Sequence, residues 1–377
     1  MKVSCLQENL AKGLSTVGRA VGTRSTLPVL SNVLLATDDA RLKLSATNLE
    51  LGINCWLGAK VEQDGAITIP ARLFTDLVSS LPPERIDMEL QTRTQTLNLR
   101  CGRFEASIKG IDAQEFPIVS AGEDGRAVAI DADMLRGMIA QVSLAAATDE
   151  SRPVLTGVLT EVTSAGITMA AADGYRLSVR KAELPVPEEA QAKVIIPARA
   201  LQELARISAD EQEPIKLIIS PSRSQAFFRL SNIDLVTQLI EGTFPEYEKI
   251  IPRSHNTRTV LNVGEFQKAV RLAGLFARDS NNVVRLKIEP AGDLAPGRVV
   301  VSATSSELGS NVSELEATIQ GEPIEIAFNA RYLADVLGVV DSAEVALETN
   351  TPTSPGLLSP VGGESFLHVI SPMHLNR

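Results

Sequence analysis

The sequence predicts an α+β chain made of three tandem copies of one fold, each with two helices packed on antiparallel sheet. Three observations predict it. The segments PARLFTDLV, PARALQELA and NARYLADVL open at Pro70, Pro197 and Asn329, spaced by 127 and 132 residues. That spacing is the size of a domain, not of a solenoid repeat. Other segments recur in the same order: Leu27-Pro28-Val29-Leu30 returns as Arg152-Pro153-Val154-Leu155, and the tripeptide SAT occurs at 45–47 and 302–304. The periodicities also repeat, with a helical stripe, alternating stretches, the PAR helix and more alternating stretches in each copy. Divided evenly, the copies span 1–125, 126–252 and 253–377.

Each copy opens on an amphipathic helix. In the first, MKVSCLQENLAKGL reads as helix, with Leu6, Leu10, Leu14, Val17 and Val21 at three-to-four spacing. In the second the stripe is Leu135, Met138, Val142 and Ala145, and in the third Phe266, Val270, Ala273 and Ala277. Short apolar stretches such as SNVLLAT and TGVLTEV follow. LKLSATNLELGI, ITMAAADGYRLSV and VVVSATSSELGS are then corresponding strand regions. ITIPAR, VIIPAR and IAFNAR each read as a strand running into a helix. Pro70 and Pro197 suit a first helical turn, where a missing N–H costs nothing, and Asn329 suits an N-cap. IDMEL, QTLNLR and RFEASIKG close the first copy as strands. Helix, strands, helix, strands within one copy suggests a further doubling into half-units, each a helix on an antiparallel sheet.

Composition narrows the function. Of the 377 residues 44% are hydrophobic and only 4% aromatic, so the cores are folded and built from Leu, Val, Ile and Ala. The three cysteines, Cys5, Cys55 and Cys101, lack metal-ligand spacing and read as reduced residues of a cytosolic protein. No apolar run approaches the ~18 residues of a membrane span, and the N-terminus does not read as a signal peptide. His255, His368 and His374 have no metal spacing, and the chain contains no phosphate-binding glycine loop and no nucleophile elbow. No catalytic residue, metal or cofactor is expected. The net charge of −10 argues against nucleic acid only if the bases are scattered. They are not. Lys268, Arg271 and Arg278 fall within about 80° of one another on the helix opposite its apolar stripe. Lys12 and Arg19, seven apart, share a face of the first helix, and Arg136 is the lone base of the second. Such faces hold phosphates electrostatically, without base contacts.

The segments TLPVLSNVLL (26–35), ITIPARLFTDLV (67–78), ADGYRLSV (172–179), VIIPARALQEL (194–204), GTFPEYEKIIP (242–252) and VISPMHL (369–375) run through all three copies. In them the chain resembles the bacterial sliding clamp, the beta subunit of the DNA polymerase III holoenzyme. The resemblance implies three domains of the clamp fold and a closed ring formed by a head-to-tail homodimer. Twelve helices would line a bore around duplex DNA, bound without regard to sequence. It also implies a non-catalytic processivity factor, loaded by a clamp loader, that tethers the polymerase alpha subunit and other clamp-motif proteins. The location implied is cytoplasmic, with the nucleoid. An acidic exterior around a basic bore reconciles the net charge.

The resemblance further implies a peptide-binding pocket between the second and third domains. Leu155, Ala172, Gly174, Tyr175, Arg176 and Leu177 fall on pocket positions, as do Pro245, Lys249 and Ile250. Val369, Ile370, Ser371, Pro372, Met373, His374 and Leu375 complete it. Leu155, Leu177, Ile250 and Val369 suit an apolar cleft for a partner's Leu or Phe, and Arg176 a polar handle. Arg24 matches a DNA-contacting arginine of the family. Lys12, Arg19, Arg136, Lys193, Arg199, Lys268 and Arg271 are further DNA candidates, chosen by helix face or local position. The chain departs from the family pattern at Ala172, Tyr175, Ser371 and His374, and carries Asn376-Arg377 beyond the usual terminus. Those departures imply the same pocket with altered partner preference. The alternatives are a clamp paralogue of regulatory or antibiotic-tolerant kind, and an enzyme with an unrecognised cleft.

Overall fold

The structure, a computed structural model, describes residues 1–22, 27–120, 127–222, 224–292, 296–363 and 365–374. Among the described residues six α-helices recur two per copy: α1 (Gln7–Val17), α2 (Ala71–Ser80), α3 (Ala132–Ser143), α4 (Ala198–Ile207), α5 (Val263–Ala277) and α6 (Ala330–Leu337). The stripes read from sequence are the buried faces. Leu10, Leu14 and Val17 of α1 are fully buried, as are Met138 and Val142 of α3 and Phe266 and Ala273 of α5. Burying one such side chain contributes roughly 1.5–3 kcal/mol, which anchors each helix on its sheet.

Two local expectations are corrected. The chain opens on a strand, Lys2–Leu6, and helix begins only at Gln7; the second and third copies likewise open on strands, Val128–Ile130 and Thr257–Asn262, ahead of α3 and α5. Val3 and Cys5 point inward while Lys2 and Leu6 point out, the period of two that a strand imposes. Leu6, four residues before Leu10, mimics helical spacing but is 56% exposed. At the other end of the stripe, Val21 lies past α1, which ends at Val17 and runs into a short 3-10 turn. Pro70 and Pro197 do not enter the first helical turn. Each is the last residue of a strand, Ala66–Pro70 and Ala192–Pro197, and the helix starts one residue on. Asn329 is an N-cap as expected, its side chain accepting from Arg331 N at 2.9 Å.

The chain forms two compact units, and the division runs through the middle copy. The first unit holds Met1–Leu135, Pro187–Ala190 and Arg199–Leu239; the second holds Arg136–Val186, Gln191–Ala198 and Ile240–Arg377. The cause is strand pairing across copy boundaries. In the first unit, Ile233–Gln238 from the end of the middle copy pairs antiparallel with Leu51–Gly58 of the first, making one eight-stranded sheet. In the second unit, Phe366–Ile370 pairs antiparallel with Arg176–Ala182, making one nine-stranded sheet. Each fusion satisfies a row of backbone groups that would otherwise be a bare edge.

Each unit also has a smaller sheet. In the first unit five strands run in the order Lys60–Gln63, Lys2–Leu6, Arg85–Gln91, Thr96–Cys101, Phe104–Lys109. In the second unit four run in the order Gly309–Glu316, Arg298–Ser305, Val283–Glu289, Ile324–Asn329. Phe104–Lys109 and Gly309–Glu316 are edge strands. Helix α1 packs against α2 in the first unit and α5 against α6 in the second. The second unit's main core gathers Phe266, Phe328, Leu333, Phe366 and Ile370.

Candidate functional site

The second unit's seam builds a groove. At the tip of Arg176–Ala182, Asp173 Oδ1 accepts from the backbone N–H of Tyr175 at 2.8 Å and of Arg176 at 3.0 Å. Between them Gly174 has φ 95°, a left-handed conformation that only glycine adopts without strain. The turn thrusts Tyr175 outward, 61% exposed, and turns Leu177 inward, fully buried opposite Val369. Leu177 and Val369 join Leu159, Ala172, Val179, Phe244 and Tyr247 in one apolar cluster, with Leu155 partly buried against it. Phe244 and Tyr247 meet edge to face at 6.5 Å. Burial, aided by the Glu161 and Glu248 charges, pushes the Tyr247 phenol far above its ordinary value, so it stays neutral.

The tail after Phe366–Ile370 continues the seam. Ser371 N donates to Tyr175 O at 2.8 Å, and Met373 N donates to Ala327 O at 2.8 Å on the edge strand of the four-stranded sheet. The tail therefore bridges the unit's two sheets. Beside it opens a cavity of about 960 Å³, lined by Tyr175, Tyr332 and Ser371–His374 on one side. Ser280, Asn281, Val283, Arg285, Ser302, Ala303 and Thr304 line the other. The walls are mixed: Asn281, Arg285, His374 and several hydroxyls stand beside Val283, Ala303, Pro372 and Met373, the make-up of a recognition site rather than a core void.

Arg176 does not offer a free handle. Its Nε lies 3.0 Å from Asp173 Oδ2, its Nη1 2.7 Å from Asp335 Oδ2, and its guanidinium stacks 4.2 Å from the Tyr332 ring centroid. These contacts tie the turn to helix α6 and hold Tyr332 at the cavity wall. Of the residues singled out by sequence, Tyr175, Ser371, Pro372, Met373 and His374 line the cavity. Leu155, Ala172, Leu177 and Val369 belong to the apolar cluster behind the turn. Pro245, Lys249 and Ile250 are exposed, Lys249 pairing with Glu246. Ile370 points to the opposite face, into the core around Phe266, because neighbouring strand residues alternate. Leu375 lies outside the described residues. Sequence reasoning missed Tyr332, Asp335 and Arg285. Tyr332 lies within the third PAR-like segment, directly after Asn329-Ala330-Arg331, but nothing linear links it to Tyr175.

The bases divide similarly. Arg24 lies outside the described residues. Lys268 and Arg271 are exposed on α5 as expected, Arg278 is exposed just past its end as the C-cap, and Arg199 is exposed on α4. Leu272 and Leu275 are exposed among the α5 bases. Arg136 of α3 is half-buried. Lys12 and Arg19 are engaged within the first unit: Lys12 Nζ lies 2.7 Å from Asp210, and Arg19 Nη1 3.0 Å from Glu203. Lys193 is not on a helix. It sits in the edge strand Ala192–Pro197, 2.5 Å from Glu161. Among the described residues no three His, Cys, Asp or Glu side chains gather as a metal site, and no helix is long and apolar enough to cross a membrane.

Comparison with known proteins gives this arrangement a family. Residues 1–120, 129–246 and 248–374 match, in order, the N-terminal, central and C-terminal domains of the DNA polymerase III beta subunit. The chain is 34% identical to the beta sliding clamp of Synechococcus elongatus over 378 aligned residues, covering all of both chains. It is 31% identical to that of Bacillus subtilis, covering 99% of each. The crystal structure of the Bacillus subtilis DNA polymerase sliding clamp superposes with a TM-score of 0.93 at 30% identity, covering all of both chains. Likeness over the full length favours neither the paralogue nor the enzyme alternative. The chain belongs to the DNA polymerase III beta subunit family, the bacterial sliding clamps.

Proposed function

We propose that two copies of this chain close head to tail into a ring around duplex DNA, and that the groove beside Tyr175 tethers the replicative polymerase and other partners. The family is that of a processivity factor. In this reading the chain itself does no chemistry, works in the cytoplasm and is opened onto DNA by a clamp loader. It comprises three domains at 1–125, 126–252 and 253–377.

One observation carries the reading. Twice within the chain, the last strand of one copy pairs antiparallel with a strand in the first half of its neighbour: Ile233–Gln238 on Leu51–Gly58, and Phe366–Ile370 on Arg176–Ala182. The same rule leaves Phe104–Lys109, the last strand of the first copy, and Gly309–Glu316, from the first half of the third, as unmatched edges. A long bare edge invites another strand. Pairing these two between different chains is heterologous, and in a dimer it closes. Their charges are complementary. Arg103 and Lys109 are exposed with Glu105 at the first edge, which is net positive, and Glu307, Glu314 and Glu316 at the second, which is net negative. Exposed Phe104 faces the same task as exposed Leu308 and Val312, which is to bury apolar surface against a partner. The bases of α5 would then meet phosphates at a distance, giving binding that is independent of sequence and steeply dependent on salt.

The test is mass in solution. A dimer of about 81 kDa, twice 40.3 kDa, is expected by light scattering, and Arg103→Glu with Lys109→Glu should weaken it. A 40.3 kDa monomer across the accessible concentrations would overturn the ring.

A further inference from the structure

The seam that builds the groove in the second unit occurs also in the first, its turn 125 residues and its pairing strand 133 residues earlier along the chain. Its backbone is the same bond for bond. Asn48 Oδ1 accepts from Glu50 N at 3.0 Å and from Leu51 N at 2.8 Å, as Asp173 does from Tyr175 and Arg176. Gln238 N donates to Glu50 O at 2.8 Å, as Ser371 N does to Tyr175 O. Val236 stands opposite Gly52, as Val369 stands opposite Leu177. Phe116-Pro117 precedes the seam's third wall, as Phe244-Pro245 does. Between these elements lies a cavity of about 150 Å³.

The side chains differ in a way that folding does not require. Leu49 occupies the position of Gly174, at φ 77° and 52% exposed. A leucine in the left-handed region is strained, and glycine would relieve it. Ile118, beside it, is 93% exposed. The floor is shallow, since a Cβ on Gly52 would lie 2.8 Å from a Val119 methyl. The space admits a single side chain, against the several that a pocket of ordinary size holds. Among the described lining residues Glu50 alone is charged, standing where Tyr175 stands in the larger groove.

We propose that this first seam is a second seat for an extended partner segment, one with a single aliphatic anchor flanked by a lysine or arginine. The anchor lies between Leu49 and Ile118, and the cation pairs with Glu50 at the rim. Leu49 is kept at a strained position because it makes this contact. The inference rests on reading the second seam as a peptide groove.

Methyl NMR of the full chain tests both, with the probe acetyl-Lys-Leu-Ala-Leu-Phe-amide. Methyls of Met373 should shift first, and those of Leu49 and Ile118 at peptide concentrations of about 1–5 mM. Replacing the probe's lysine by glutamate, or Glu50→Lys in the protein, should weaken only the second set, by about threefold or more. Leu49→Gly should weaken the second set about tenfold while raising the melting temperature, the reverse of what a core leucine would do. Shifts at Met373 with none at Leu49 and Ile118 would overturn the second seat alone, as would a lowered melting temperature for Leu49→Gly. Shifts at neither would overturn the groove reading as well.

Discussion

His368 gives the seam behind the larger groove a pH dependence. It lies in Phe366–Ile370, fully buried, with Nδ1 2.7 Å from Ser178 Oγ and Nε2 without a partner among the described atoms. Burial first, and the Arg176 charge second, push its pKa down to about 3. The folded protein thus holds the imidazole neutral while the unfolded chain binds a proton near the ordinary value of ~6.5. Proton uptake favours the unfolded state, so the contribution is intact above pH ~6.5 and is lost as pH falls toward 3. With those two values the loss at pH 5 comes to about 2 kcal/mol, growing by about 1.4 kcal/mol per further unit. The perturbation is His368→Gln, which keeps a hydrogen-bonding amide near Ser178 but cannot titrate. Urea unfolding of both proteins at pH 8 and pH 5 is the assay. The wild type should lose about 2 kcal/mol more than the variant between them. Parallel losses would refute the reasoning, since every other titrating group is shared.

Four further outcomes are expected, two at the groove, one at the sheet edges and one on α5. Met373→Ala should weaken a clamp-binding peptide about tenfold in calorimetry with little change in stability, because the backbone bond to Ala327 remains. Leu177→Ala, by contrast, should cost about 2–5 kcal/mol of stability, since Leu177 is enclosed rather than lining the cavity. Charge reversal at Arg103 and Lys109 should weaken the dimer in sedimentation, and Glu314→Lys with Glu316→Lys on the partner copy should restore it. Lys268→Ala and Arg271→Ala should each lower the salt slope of duplex binding by about 0.9 in a titration of affinity against salt, whereas Lys12→Ala should do less because Asp210 already holds that cation.

The threefold fold was legible because its signals are local. Stripes such as Leu10, Leu14 and Val17, or Phe266, Val270 and Ala273, report burial directly, and the PAR segments mark equivalent strand-to-helix corners. The opening strand was hidden because Leu6 and Leu10 share helical spacing while the competing alternation, Val3 and Cys5, spans only two residues. The prolines were misread by one position, because an extended ψ of 113° at Pro70 suits a strand end as well as a helix start. The groove was legible only in part. Gly174 and Phe244 announce the turn and its apolar backing, but the opposite wall is brought in from strands more than a hundred residues away. Nothing in the sequence couples Arg176 to Asp335, so the ion pair that occupies it was invisible. Pairing across copy boundaries was equally invisible, since repeat boundaries in the sequence do not coincide with the compact units.

Topology is the central claim, and retention on DNA tests it most directly. The protein would be loaded onto a nicked circular plasmid by a bacterial clamp loader with ATP, then passed through a sizing column at moderate salt, before and after the plasmid is cut once. Encirclement predicts that the protein stays with the circle through salt that abolishes its binding to short duplexes, and leaves when one cut gives it an end to slide from. Equal retention on the circle and the cut plasmid would contradict a ring, and would assign the binding to phosphate contacts alone.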